Sequence, residues 1–314
     1  MDTEIEFLKP GVVYDSVKTY NHGENIIYEF SSVKYSNCNL KQTKLKGVYL
    51  PIVSGLHYFH FLKEYVGSFL YYKKHINKDA KVLWLNTNVE NYKYHDCSKV
   101  VQQVLDLLLE NNIPIVFVDP NDMLKNNIEF EKIAIIYDPA AYIVSTQFPY
   151  FDQFKHTNNV EVREFVKPFM KKDNLCPKKV YISRRQVSSY LEENNLKDHI
   201  SRYNEKHVED ALEDFFINNG YQKIDFSGMT LQDQVMYMYN ATHVAGLMGA
   251  GTWNGIFCDS GVKYFCIKTH MWFNHEYNKD MESVIDLNYR LIELSNLESY
   301  HSVISELNQK VKDA

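Results

Sequence analysis

Short apolar runs rich in β-branched residues recur along the chain, at 47–53, 81–85, 113–118 and 132–137, then at 179–183, 221–226, 243–247 and 262–267. Runs of this length, bounded by turn residues, predict strands buried on both faces. Helix-period patterns separate them at 57–76, 98–111, 205–218, 231–239 and 252–258. Strand and helix in alternation predict mostly parallel sheets covered by helices, an α/β chain of doubly wound units.

The rhythm breaks at 138–177, where Pro139, Pro149, Pro168 and Pro177 fall without a convincing strand. A boundary between two units is expected there, dividing a first domain at 1–155 from a second at 156–290. The last segment, 281–314, reads as an amphipathic helix packing across the domains, with Leu287, Leu291, Leu294 and Leu297 as its apolar stripe. Neither a solenoid-length repeat nor a low-complexity tract is present.

The 314 residues suffice for two such units, and 45% hydrophobic with 24% charged residues suits a chain that buries a core. A mean hydropathy of −0.39 argues against a membrane bundle. With a formal net charge of −6, no overall positive field gathers nucleic acid, so a nucleotide must be held locally. The five cysteines, Cys38, Cys97, Cys176, Cys258 and Cys266, lie far apart and form no C-x-x-C pair, which fits a reducing compartment. The start of the chain is acidic where a secretory signal is basic, and no apolar run is long enough to span a bilayer. A cytoplasmic protein is expected, with peripheral contact to a membrane left open.

Five of the 12 glycines fall between Gly246 and Gly261, directly after the run at 243–247. A strand turning through glycines into a helix lets backbone N–H groups approach an anion, and a diphosphate is the natural guest. A tight turn built only for close packing explains the same residues, and position alone does not choose. Upstream, Arg184 and Arg185 end a strand where parallel sheets open their crevices, and guanidinium forks suit phosphate oxygens. Their alternative partners are the acids of the next helix, Glu209, Asp210 and Glu213. Asn204, before Glu205-Lys-His-Val, has the look of a helix N-cap.

From about Lys179 to Lys268 the chain resembles the family-61 glycosyltransferases, which include plant xylan-decorating enzymes and extracellular O-linked N-acetylglucosaminyltransferases. The resemblance is carried by the strand ending Ser183-Arg184 and the step from Arg202 to Glu205. Gly220-Tyr221 before a strand, Gln234-Val235 in a helix, and Gly-x-x-Gly-Ala-Gly-x-x-Asn at Gly246 to Asn254 complete it. In the first half, Leu56 to Glu64 is similar to the family's Asn-Tyr-Phe-His-Trp-x-x-Asp/Glu segment. This chain departs from the pattern at Met248, where His is usual, at Cys266, near which an acid is common, and at Arg202, one position off the usual spacing.

The resemblance implies a GT-B type fold, with two Rossmann-like doubly wound domains facing a cleft, and an inverting, metal-independent transferase. No cofactor is implied. Its donor is a nucleotide sugar, UDP-linked by expectation, and its acceptor a hydroxyl of a glycan or glycoconjugate, as in polysaccharide biosynthesis. The resemblance assigns the base to Glu64 or His60, with His57 and Tyr58 at the acceptor. Donor contacts go to Arg184, Arg185, Arg202, Asn204, Glu205, Gln234, Met248, Gly249, Ala250, Gly251 and Asn254.

Rival readings remain. On an α-helix His57, His60 and Glu64 share one face and have the chemistry to hold zinc or iron, although no His-Glu-x-x-His motif accompanies them. Glu64 also reads as a solvated residue beside Lys63, and His60 as a core histidine. Tyr58, Phe59, Phe61 and Trp253 suit sugar platforms and equally a core. A dehydrogenase fits poorly, because the glycine motif comes late and lacks the acid about twenty residues on. A non-catalytic nucleotide-sugar or glycan binder, or a transferase of another group such as pyruvyl or sialyl, uses the same scaffold.

Overall fold

A computed structural model describes residues 12–13, 16–22, 25–35, 43–53, 60–85, 98–118, 128–137, 157–193, 204–269, 281 and 284–312. The chain divides into two compact units, Met1–Asn91 with Leu105–Val162, and Tyr92–Val104 with Arg163–Ala314. Both are mixed α/β with parallel pairing.

The first unit holds a seven-stranded sheet. Its strands are β1 (Val12–Val13), β2 (Ser16–His22), β3 (Asn25–Tyr35), β4 (Thr43–Val53), β5 (Lys81–Leu85), β6 (Ile115–Val118) and β7 (Ile128–Tyr137). The order is β1-β3-β7-β4-β5-β6, with β2 also paired to β3. Strands β4 to β7 are parallel, and the chain steps outward from β4 through β5 to β6 before returning to the other flank of β4 with β7. Strand β3 then extends the sheet antiparallel to β7, so this unit is not doubly wound throughout. The antiparallel ribbon escaped the sequence reading because Ser16, Lys18 and Thr19 are exposed and β2 presents no continuous apolar run. The β4–β7 pairing ends at Tyr49 with Ile133, and Pro51, which has no N–H to give, falls on the stretch beyond it.

Helix follows β4 at His60–Val66, wound wide with i→i+5 hydrogen bonds, and continues as α1 (Gly67–His75). Phe61, Leu62, Val66, Phe69 and Tyr72 are fully buried, and Phe61 meets Trp84 of β5 edge-on at 6.0 Å. Helix α2 (Ser98–Glu110) joins β5 to β6, and α3 (Thr157–Phe165) follows β7.

The second unit is built on β8 (Lys179–Ile182), β9 (Gln222–Ile224), β10 (His243–Leu247), β11 (Lys263–Lys268) and β12 (Asn288–Glu293). All five strands are parallel in the order β12-β11-β10-β8-β9. Counted from β8 this is the 2-1-3-4-5 order of doubly wound sheets, whose direction reverses between the first and third strands, here β8 and β10. Helix α4 (Arg185–Glu193) leaves β8, α5 (Lys206–Asn218) precedes β9, α6 (Leu231–Asn240) precedes β10, and α7 (Ala250–Trp253) follows it. A tighter turn at Asn254–Phe257 continues α7.

Helix α5 buries Val208, Ala211, Leu212, Phe215 and Phe216 at helical spacing against Tyr181, Ala245, Leu247, Phe265 and Ile267 of the sheet. Phe216 stacks on Tyr181 with ring centres 5.2 Å apart. The helix stops at Gly220, whose φ of +82° is open to glycine, with Gly220 N donating to Ile217 O and Tyr221 N to Phe216 O.

The expected helix over 281–314 is corrected by the structure: 288–293 is the strand β12, and only Tyr300–Lys312 is helical, as α8. Ile292 and Leu294, two apart, face the core while Glu293 is exposed, a period of two that a stripe of leucines obscured. Helix α8 packs Val303 and Leu307 into the α5 cluster. Glu306 of α8 pins the preceding loop, accepting from Ser295 N, Asn296 N (3.0 Å), Ser295 Oγ (2.9 Å) and Lys310 Nζ (2.7 Å).

Burial alone raises the Glu306 pKa, but those donors together push it down to about 2. A depressed carboxyl contributes stability above its unfolded value of 4.5, and loses it as pH falls toward about 2. Glu306→Gln is therefore expected to lower the urea midpoint at pH 7, and the gap to wild type should close progressively between about pH 5 and 2.

Candidate functional site

The C-terminal edge of the second sheet gathers the polar residues that the core excludes. Beyond β8 the chain stays in register for one residue, Ser183 N donating to Ile224 O at 2.9 Å, and then turns into α4. Ser183 Oγ donates to Glu213 Oε1 of α5 at 2.7 Å. Arg185 Nε and Nη2 donate to Glu213 Oε2 at 3.0 and 2.8 Å, and Arg185 Nη2 also lies 2.7 Å from Asp210 Oδ1. Lys223 Nζ completes the set, 2.8 Å from Glu213 Oε1. Burial raises the Glu213 pKa, and the bonds from Arg185, Lys223 and Ser183 outweigh it to hold the carboxyl below its ordinary value. Arg185, raised chiefly by its bond to Glu213, is committed to α5.

Its neighbour is placed differently. Arg184 is half-buried, and Nη1 donates to the main-chain oxygen of Met248 at 2.8 Å, bridging the ends of β8 and β10 across the reversal of strand order. Among the described residues no carboxylate lies within ion-pair distance of it. Burial lowers its pKa, with Glu209, Tyr181 and Cys266 acting in the opposite sense.

Gly249 allows the bridge: a Cβ there would come within 3.1 Å of Arg184 Nη1, and its φ is +153°. Its own N–H is occupied, donating to Thr252 Oγ1 at 3.0 Å, while Thr252 Oγ1 donates back to Gly249 O at 2.8 Å. The first amides of α7, at Ala250 and Gly251, have no intrahelical partner by geometry. Gly246 and Gly251 let α7 close on β8, since a Cβ on either would meet Ile182 at 3.0 and 3.1 Å.

The sequence model of the family described as Glycosyltransferase 61 matches residues 58–265. The chain belongs to glycosyltransferase family 61. No curated protein matches it. As a family-61 glycosyltransferase it takes a sugar from a donor to an acceptor, and the match spans both the Arg184–Gly249 bridge and the helix that follows β4.

Other residues expected at the transferase's donor have structural occupations. Asn254 is fully buried and donates from Nδ2 to Gln234 Oε1 at 3.0 Å, while Gln234 Nε2 reaches Phe226 O and Met229 O, both at 3.4 Å. The pair ties α6 to the Asn254–Phe257 turn. Met248 is buried, and its N–H continues the sheet by donating to Ile267 O at 2.8 Å. Asn204 does not cap α5. It is buried, its Oδ1 accepts from Thr269 Oγ1 at 2.8 Å, and its N–H points to Ser188 Oγ at 3.5 Å. Glu205 holds the N-cap position without a side-chain capping bond and lies 3.2 Å from His207 Nδ1. Phe61 and Trp253 belong to the core rather than to a sugar platform.

His60 and Glu64 stand on the wide helical segment after β4, with their side chains outside the described residues; His57, Tyr58 and Arg202 also lie outside them. Among the described residues, no group of three His, Cys, Asp or Glu side chains is placed to hold a metal ion, and no helix is long and apolar enough to cross a membrane. Sequence reasoning passed over Ser188 and Thr269 as parts of the polar edge, since a lone Ser within a helix or a lone Thr after a strand carries no signal of its own.

The two arginines should separate experimentally. Arg185→Ala leaves the Glu213 carboxylate short of donors and is expected to cost about 1–3 kcal/mol in urea unfolding. Arg184→Ala should unfold within about 1 kcal/mol of wild type and lose on the order of 100-fold in sugar transfer.

Proposed function

We propose that the chain is an inverting, metal-independent GT-B glycosyltransferase that moves a sugar from a nucleoside-diphosphate donor, UDP-linked, to a hydroxyl of a glycan or glycoconjugate. The observation that carries the reading is the Arg184 guanidinium. It stands where a doubly wound sheet opens its crevice, anchored by a single bond and free of a carboxylate partner among the described residues. A guanidinium in that position suits an oxyanion that it grips in a forked, charge-assisted contact.

In the reaction the acceptor oxygen forms a bond to the anomeric carbon while the carbon–oxygen bond to the diphosphate breaks on the opposite face. The bonding pair leaves with the diphosphate, and Arg184 stabilises the charge it carries away. The acceptor proton passes to Glu64 or His60. The wide winding of His60–Val66 supports that assignment, because departures from α geometry inside a helix frequently mark functional positions. Cys176 and Cys258, free thiols among the described residues, support a cytoplasmic setting.

The test is a panel of nucleotide sugars incubated with the protein, reading released nucleoside diphosphate and transferred sugar. Turnover with one donor is expected. Glu64→Gln should lower it by about 10²–10⁴-fold with donor binding retained, and His60→Asn should not. The reverse pattern assigns the base to His60, and unchanged turnover in both variants removes the assignment. Heat of binding without released diphosphate would make the protein a binder on the same scaffold.

A further inference from the structure

Strand β9 lies beside β8 on the side away from β10. It ends at Ile224, whose carbonyl accepts from Ser183 N, so Asp225 follows directly beside the step that leads to Arg184. The Asp225 carboxylate is half-buried and held in one pose, with Oδ1 accepting from Ser227 N at 2.8 Å. Among the described residues its other oxygen meets no donor and no cation. The nearest lysine in sequence, Lys223, is taken by Glu213. Burial, the largest influence, raises the Asp225 pKa against the bond from Ser227 and the charge of Lys223.

Among the described residues the opposite flank of the reversal offers nothing comparable. At the end of β11, Lys268 Nζ bonds Glu293 Oε1 at 2.9 Å and Thr269 Oγ1 bonds Asn204 Oδ1 at 2.8 Å, so these polar groups satisfy one another. Beside a diphosphate at Arg184, β9 is therefore the flank on which a described residue has an acceptor to spare. With the Arg184 guanidinium at the end of β10, two strand spacings, roughly 10 Å, separate it from the end of β9, a span that a ribonucleoside diphosphate covers from its terminal phosphate to its ribose. A vicinal diol presents two O–H donors, and an ionised carboxylate has the lone pairs to take them.

We infer that Asp225 accepts hydrogen bonds from the ribose hydroxyls of the donor nucleotide, fixing the nucleoside over β9 while Arg184 holds the diphosphate. The inference rests on the nucleotide-donor reading above. It makes Asp225 a selector for ribonucleotides over deoxyribonucleotides.

The experiment is calorimetric titration of the full chain with uridine, guanosine, adenosine and cytidine diphosphates, then with the 2′- and 3′-deoxy forms of the tightest binder. Wild type should lose about ten- to hundred-fold in affinity when a contacted hydroxyl is removed, the loss expected for a hydrogen bond to a charged group. In Asp225→Asn and Asp225→Ala that discrimination should fall several-fold, toward equal binding of the ribo and deoxy forms, because the carboxylate acceptor is gone. Asp225→Asn retains an oxygen for Ser227 N and decides the matter if Asp225→Ala proves unfolded by circular dichroism. Equal discrimination in wild type and Asp225→Asn, or none in wild type, overturns the role of Asp225 while leaving the donor site standing. Failure of every diphosphate to bind wild type overturns the donor reading and this inference with it.

Discussion

Parallel strands that leave a sheet in opposite directions cannot cover their shared edge, because each connecting helix departs to its own side. In the second unit that happens between β8 and β10, and most of the unit's polar chemistry follows from it. The opening admits a side chain rather than a strand. Arg184 occupies it by bonding a main-chain oxygen, and glycine at 249 keeps the guanidinium from colliding with the turn.

Adjacent arginines at this edge meet opposite fates for a geometric reason. Residues alternate across a strand, so Ser183 points to the α5 face, where Glu213 waits, and Arg185, opening α4, reaches the same carboxylate. A buried acid that gathers a serine, an arginine and a lysine is well satisfied, and removing any one donor exposes the cost of the rest. Arg184 between them forms no ion pair with a described carboxylate, and buried Glu209 of α5 acts on its charge only from farther away. The Arg185–Glu213 pair ties the chain beyond β8 to α5, while Arg184 is held only by the main-chain oxygen of residue 248.

Much of the framework could be read from residue order. The runs at 81–85 and 243–247 coincide with β5 and β10, and the other buried strands shift by a few residues at their ends, because continuous apolar runs leave little doubt about burial. Where only one face is covered, the signal weakened: the ribbon of β1 to β3 was missed, and β12 was mistaken for helix because leucines near one another satisfy more than one period. At the site, the acids of α5 were visible as candidate partners, but which arginine they would take depends on the facing of Ser183, and that is a tertiary fact. Asn204 likewise looked like a cap and instead bonds Thr269, sixty-five residues on, a contact that no local pattern encodes.

The anchor of Arg184 at residue 248 is an oxygen of the backbone, not of a side chain. A main-chain atom is the same whatever residue carries it, so the histidine usual in the family and the methionine found here offer the guanidinium the same handle. Change at this position can reshape the buried wall next to the crevice without displacing the cation. A motif search that weights the residue before Gly249 heavily would therefore discard family members in which the bridge from Arg184 is intact.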